Sequence, residues 1–346
     1  MGAQYTACPM KFSDLQTKQQ QQIIQTVAIA SQLDAQSVEK DWWVTQVLKA
    51  IFSLPYAEHL SFKGGTSLSK CWHLIERFSE DVDIAISREF LGFAGELSRT
   101  QVSDKLRRAA CSFVREKMQY DVREAMVAQG IKEESFSVRV QITSVSTTDP
   151  ETIEIEYKSA LPESSYIRHC VLIEVSGRSM QEPVKVEQVQ SLIDQYIPQS
   201  IVSEPAFSLP NVVAPERTCL EKIFLLHEEF AKPNADIRVN RMTRHLYDLY
   251  CMKHAGVADR ALQDEALYRA VVEHRRKFIN LRDFDYDTLY PKHLSLEIPT
   301  NVIDLWRKDY ETMQRTMIYG HSVAFDELLA EIRQLNRCIS ELPYQK

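Results

Sequence analysis

The stretch FKGGTSLSKCWHLIERFSEDVDIAI, Phe62 to Ile86, decides how this chain is read. Leu60 to Lys63 is short and apolar, as a buried strand should be, and Gly64 and Gly65 then allow positive φ or a close approach of backbone to a ligand. Thr66 and Ser67 stand where a helix would begin, with Leu68, Cys71, Trp72 and Ile75 recurring behind them at helical spacing. Such a helix turns its unpaired N–H groups and the positive end of its dipole toward the glycines, which makes an anion site, and the Ser67 hydroxyl adds a donor. The next strand alternates, with Val82, Ile84 and Ile86 on one side and Asp81, Asp83 and Ala85 on the other. Two carboxylates beside a phosphate-binding turn suit Mg²⁺, a hard cation that divides its oxygen ligands between protein and phosphates. Two such ions can clamp an in-line displacement at phosphorus.

An Asp-x-Asp pair carries little by itself, because a chain of this length holds on the order of one by chance. Asp283, Asp285 and Asp287 form a second such run with no glycine turn ahead of it, and they read as a solvated loop or helix edge. What separates the first run from the second is its order: strand, glycine turn, helix, strand.

A length of 346 residues exceeds one ordinary domain, and 44% apolar residues are enough for a substantial core. Seven scattered cysteines show no metal-ligand or redox spacing and fit reduced core positions. With no cationic leader followed by an apolar run and no membrane-length apolar stretch, the expectation is a cytoplasmic protein without membrane contact. A net charge of −7 argues against a surface coated for nucleic acid but leaves room for a local basic groove. Lys105, Arg107 and Arg108, then Arg238, Arg241 and Arg244, then His274 to Lys277 are the candidates, each also readable as a solvated helix face.

Residues 13 to 54 read as helical up to Pro55, with Val38, Trp42, Val47, Leu48, Ile51 and Phe52 at helical spacing, and residues 101 to 128 read as helical again. Three strands follow, around Phe136 to Ile142, Ile153 to Tyr157 and Cys170 to Ser176. From about residue 185 the pattern is helical, with proline breaks between Pro198 and Pro215 and at Pro291 and Pro299. The fold class is therefore α+β. A helical N-terminal arm, 1–55, is expected to pack on a mixed-sheet core, 56–190, followed by a helical C-terminal domain, 191–346.

Glu174 interrupts the apolar run Val171 to Val175, where a carboxylate is costly unless it binds metal or pairs with an arginine. Beside the Asp83 strand it would complete a three-carboxylate site and accept the proton of an attacking hydroxyl. Arg178 follows closely, either toward a phosphate or toward Glu174. Pro215 suits the first turn of a helix to Phe230, whose Lys222 lies off the apolar side and would neutralise phosphate charge as a point cation. On the next helix Arg241, Arg244, His245 and Asp248 share a face. They would hold phosphates and read a ribose or base, or Arg244 and Asp248 would form an ordinary i,i+4 ion pair.

At these residues the chain resembles the AbiEii/AbiGii abortive-infection nucleotidyltransferase toxins, of the DNA polymerase β-like nucleotidyltransferase superfamily. The matching segments are VEKDWWV from Val38, FKGGTSLSK from Phe62, ERFSEDVDIAI from Glu76, YIRHCVLIEVSGRS from Tyr166, PERTCLEKIFLLHEE from Pro215 and RMTRHLYDLY from Arg241. They run in order over roughly residues 38 to 250. By that resemblance Gly65 and Ser67 belong to the phosphate-binding motif, Asp81 and Asp83 to the metal site, and Lys222 and Asp248 to later motifs. Gly65-Thr66-Ser67 stands where some relatives read Gly-Ser directly, so either Thr66 or Ser67 is expected to supply the hydroxyl. The resemblance implies a polymerase-β-like core and a toxin of a toxin–antitoxin or phage-defence system, with a cognate antitoxin. The expected reaction moves a nucleotide from an NTP to an RNA end, transfer RNA foremost. Mg²⁺ or Mn²⁺ would be held by Asp81, Asp83 and Glu174, and the triphosphate by Lys63, Gly64, Gly65, Thr66, Ser67, Arg178 and Arg244, with Lys222 and Asp248 catalytic. A protein or small-molecule acceptor, which the acidic net charge favours, and a binding-only module are the competing readings.

Overall fold

The computed structural model describes residues 10–79, 81–141, 151–162 and 168–345. The glutamine-rich opening forms two helices, α1 (Thr17–Ser31) and α2 (Ala35–Ile51), where the sequence reads as one helical segment. They break at Gln32, whose φ is +60°, and α2 restarts on Asp34, whose carboxylate accepts from the Ser37 N–H at 2.8 Å. Helix α2 is buried almost all round, and its Glu39 accepts from the Ser159 hydroxyl and the Ala160 N–H, which fixes the arm to the core.

Strand β1 (Leu60–Lys63) runs into helix α3 (Gly64–Lys70), and β2 (Asp81–Ile86) returns antiparallel to β1 with Lys63 opposite Asp83. The helix begins at the glycines themselves, two residues before Thr66, and ends at Lys70, short of Trp72 and Ile75. His73 then takes a positive φ of 50°, which turns the chain toward β2. Helices α4 (Arg107–Phe113) and α5 (Gln119–Ala128) lie within a helical run from 101 to 128 that contains wider-pitched turns. Strands β3 (Phe136–Gln141), β4 (Glu151–Tyr157) and β5 (Cys170–Ser176) follow; Ile142, the end of the first of these as read from sequence, lies outside the described residues. Then come β6 (Val184–Val189), α6 (Leu192–Tyr196) and β7 (Phe207–Val213). The remainder is helical, with α7 (Pro215–Phe230), α8 (Thr243–His254), α9 (Val257–Gln263), α10 (Glu265–His274), α11 (Ile303–Thr316) and α12 (Phe325–Ser340). Among the described residues no helix is long and apolar enough to cross a membrane.

One mixed sheet of seven strands runs in the order β3-β4-β5-β2-β1-β7-β6. Strands β2 and β5 are parallel neighbours that place Asp83 opposite Glu174, and β1 pairs parallel with β7 through Phe62 and Val212. The helical expectation from residue 185 is thus corrected, because β6 and β7 complete the sheet and the boundary drawn at 190 falls between two of its strands. Hydrophobic packing divides later. One cluster joins the arm to the sheet as far as Val212, and a second gathers Cys219 to Tyr344 with Leu68 and Ile75 of the core.

The alternation of β2 sets its two faces against each other. Val82, Ile84 and Ile86 are at most 1% exposed, and burying each contributes about 1.5–3 kcal/mol. That gain anchors a strand whose other face must carry Asp81 and Asp83 side by side. The C-terminal helices are fastened to this core on two sides. The Phe78 N–H donates to Met317 O at 2.7 Å and the Tyr319 N–H to Glu76 O at 3.0 Å. Elsewhere Phe278 packs with Leu97, Val102 and Leu106, beside a Lys277–Glu96 ion pair. Between the sheet and the helices so tethered lies a cleft.

Candidate active site

The cleft encloses about 630 Å³, within the range of small-molecule sites, and its walls come from β1, β2, β5, α7, α8 and α10. At one wall the backbone approaches a carboxylate so closely that only glycine fits. A Cβ on Gly64 would lie 1.8 Å from Asp83 Oδ2, and Gly64 has a φ of +83°. A Cβ on Gly65 would lie 2.6 Å from Arg77 Nη2 and 2.8 Å from Ser79 Oγ. The glycines therefore seat the carboxylate strand and an arginine directly against the start of α3.

Asp81, Asp83 and Glu174 all face this cleft. Burial pushes the Asp83 carboxyl above its ordinary range, and burial together with the neighbouring Asp83 and Asp81 pushes Glu174 up to about 7. Crowded carboxylates of this kind repel one another until a cation joins them. The donor set is all oxygen, which fits a hard divalent ion such as Mg²⁺ or Mn²⁺. Among the described residues no three metal-ligating side chains stand close enough to form a finished nest.

Facing the carboxylates is a sealed ionic cluster. Asp248, fully buried on α8, accepts from Arg77 Nε at 2.7 Å and Nη2 at 2.8 Å, and from Lys222 Nζ at 2.9 Å. Burial alone would raise the Asp248 carboxyl, but Arg77 and Lys222 outweigh it and hold the group well below the usual carboxylate range. His245 Nδ1 lies 3.3 Å from Lys222 Nζ, and burial, Lys222 and Arg244 keep the imidazole neutral, so its lone pair can receive the ammonium. Two cations and one anion leave a net positive charge on this wall, with Arg244 beside it.

The residues singled out from sequence sort by position. Lys63, Gly64, Gly65, Asp81, Asp83, Glu174, Arg178, Lys222 and Arg244 line one cleft. Asp248 stands behind it: its oxygens go to Arg77 and Lys222, so the i,i+4 pair with Arg244 is not the arrangement adopted. Lys222 is only 7% exposed rather than solvated. Neither expected hydroxyl points at the cleft. Ser67 Oγ, fully buried, donates to Gly64 O at 2.9 Å, and Thr66 Oγ1 donates to Asp81 O at 2.5 Å, next to Ser79 Oγ at 3.0 Å. The Thr66 hydroxyl locks the turn onto β2, the Ser67 hydroxyl closes the turn on itself, and Ser79 lines the cleft in their place. Glu174 makes no ion pair with an arginine among the described residues. In the second aspartate run Asp285 caps a short helical turn, Tyr286–Leu289, by accepting from the Asp287 N–H at 2.9 Å.

Of the basic candidates, Arg238, His274 and Arg275 line the cleft as well, and so do Arg77, Ser79, Thr218 and Glu221, which no sequence argument picks out. For Thr218 and Glu221 a signal exists, since with Lys222 and Leu225 they make an i, i+3, i+4, i+7 stripe on α7. A smaller cleft of about 260 Å³ backs onto Arg77 and Ser79 from the other side. Its two carboxylates are engaged, Asp41 with Lys70 at 2.5 Å and Glu76 with the His321 N–H at 2.9 Å, whereas Asp81, Asp83 and Glu174 face the larger cleft.

A model of the nucleotidyl transferase AbiEii toxins of type IV toxin–antitoxin systems matches residues 46–331. The chain belongs to the AbiEii nucleotidyltransferase toxin family. Family membership brings with it a nucleotide substrate and a cognate antitoxin. No curated protein matches the AbiEii chain. A crystal structure of JHP933 from Helicobacter pylori is similar at 13% identity and a TM-score of 0.42, over 89% of this chain and 94% of that one.

Two outcomes follow for the AbiEii site. Gly64→Ala should abolish nucleotide binding, measured by calorimetry, while the circular dichroism spectrum stays that of the wild type; undiminished binding would show that Asp83 and the turn are not in this contact. Asp248 has a depressed folded-state pKa, so its contribution to stability is complete above about pH 5 and is lost as pH falls through the carboxylate range. Urea midpoints measured against pH should therefore fall on acidification in the wild type and fall less in Asp248→Asn, whose midpoint at neutral pH should already be lower.

Proposed function

We propose that this AbiEii protein is a nucleotidyltransferase that moves NMP from an NTP to the end of an RNA, foremost transfer RNA, with release of pyrophosphate. The observation that carries the proposal is the meeting, across one cleft, of three crowded carboxylates, a glycine turn at a helix start and a net-positive buried cluster. Anionic phosphates fit between the helix start and the cluster, and divalent cations fit the carboxylates.

In this reading Gly64 and Gly65 give the triphosphate room to lie against the backbone, with Arg77, Lys222 and Arg244 offsetting its charge. Arg178, on the loop after β5, reaches the same space. Asp81, Asp83 and Glu174 would hold Mg²⁺ or Mn²⁺, which supplies positive charge to the reacting and departing oxygens when bound. An RNA hydroxyl forms a bond to the α-phosphorus while the bond to the pyrophosphate oxygen breaks. Glu174, opposite Asp83 on the neighbouring strand, is the carboxylate assigned to receive the hydroxyl proton. The role assigned to Asp248 is to hold Arg77 and Lys222 in place without touching the nucleotide. Consumption of RNA ends by such a transfer accounts for growth inhibition and, under infection, for phage defence, with a cognate antitoxin as the counterweight.

Purified protein incubated with Mg²⁺, labelled NTPs and total RNA should label RNA. Asp81→Ala and Asp83→Ala should each reduce the rate by at least about a hundredfold, in line with loss of charge stabilisation at a reacting phosphate. Label that resists nuclease and migrates with protein would move the acceptor to a protein, and labelling that survives both substitutions would refute the carboxylate assignment.

A further inference from the structure

The large cleft has lining groups that the phosphate chemistry leaves unused. Besides the carboxylates and the positive cluster it is lined by Lys63 and by the stripe of α7 that carries Thr218 and Glu221. Thr218 is 4% exposed, and its Oγ1 has no hydrogen-bond partner among the described residues. A threonine within a helix ordinarily returns its hydroxyl to a carbonyl one turn back, and a buried hydroxyl without a partner is destabilising. Glu221, one turn further along the same face, accepts from Arg217 Nε at 3.1 Å and Nη2 at 3.0 Å, both at Oε1. Its Oε2 accepts no hydrogen bond among the described residues. Leu225 continues the stripe, and Ile279 and Leu281 close the wall with apolar surface.

We propose that Thr218 and Glu221 form the subsite for the nucleoside part of the NTP, reading its hydrogen-bond donors while the apolar wall covers its faces. The proposal rests on the cleft being the NTP site. Hydrogen-bonding chemistry decides which part of the NTP lies here. Burial disfavours the ionised Glu221 carboxyl, but Arg217, Lys63 and Arg275 reverse that and hold it down at about 2, so it is an acceptor and not a donor. Its open oxygen accepts from a neutral donor, which on a nucleoside is a ribose hydroxyl or an exocyclic amine. Thr218, able both to donate and to accept, completes the pair. Discrimination at such a site comes from the buried polar groups that a wrong nucleoside would leave without partners.

Calorimetric Kd values for non-hydrolysable analogues of the four NTPs and of their 2′-deoxy forms test this without requiring transfer. The wild type should prefer one nucleoside form, and Glu221→Gln should cut that preference about tenfold, as expected for a hydrogen bond to a charged group. Thr218→Val should cut it roughly threefold. A collapsed ribo-to-deoxy ratio assigns the pair to the ribose, and a collapsed amino-to-keto base ratio assigns it to the base edge. Weakening that is equal for every nucleotide would reduce the two residues to structural parts and overturn the proposal, as would a wild type without preference. Selective binding without transfer would sink the enzymatic reading alone, and absence of binding by any nucleotide would sink both.

Discussion

A carboxylate sealed from water between two cations ties the two halves of this molecule together. Asp248 comes from α8, Lys222 from α7, and Arg77 from the connection between α3 and β2, so one anion joins the sheet core to the C-terminal helices. Removing one partner from a buried pair costs about 3–5 kcal/mol, because the others are left uncompensated in a poorly polarisable interior. The cleft lies where that clamp holds its walls apart at a fixed distance. Its positive wall exists because Asp248 neutralises only one of the two charges it organises.

Against that wall stand three carboxylates. Asp81, Asp83 and Glu174 face the cleft from adjacent parallel strands, in a place where burial raises the cost of ionising Asp83 and Glu174. In the proposed reading a metal-bound polyphosphate lies between the two walls. The glycines set the spacing, since Asp83 occupies the volume a side chain at Gly64 would need.

Sequence pattern makes the carboxylate half of this arrangement legible and hides much of the other. Strand β2 announces itself by strict alternation, and Gly64-Gly65 by backbone freedom that few other residues have. Glu174 stands out because a charge in an apolar strand needs a reason. Strand β7, in contrast, contains Pro210, which lacks an N–H and argues against an interior strand, and β6 is an exposed edge whose register with β7 shifts between Lys185 and Glu187. Together they hide the fact that the sheet extends beyond residue 190. Arg77 is invisible in the same way, since its partner Asp248 lies 171 positions along the chain and no local spacing announces the pair. The Ser67 hydroxyl shows the limit of motif reading: its place at the helix start reads as a donor to an anion, but the side chain has a nearer acceptor in Gly64 O.

In the proposed reading a metal-bound triphosphate bridges the carboxylates and the Arg77–Lys222 wall. Anomalous diffraction from crystals grown with Mn²⁺ and a non-hydrolysable NTP tests that directly. Manganese should scatter between Asp81, Asp83 and Glu174, with the triphosphate against Gly64 and Gly65 and its far end toward Arg77. Nucleotide bound elsewhere, or manganese absent from these three carboxylates while nucleotide is present, would contradict it.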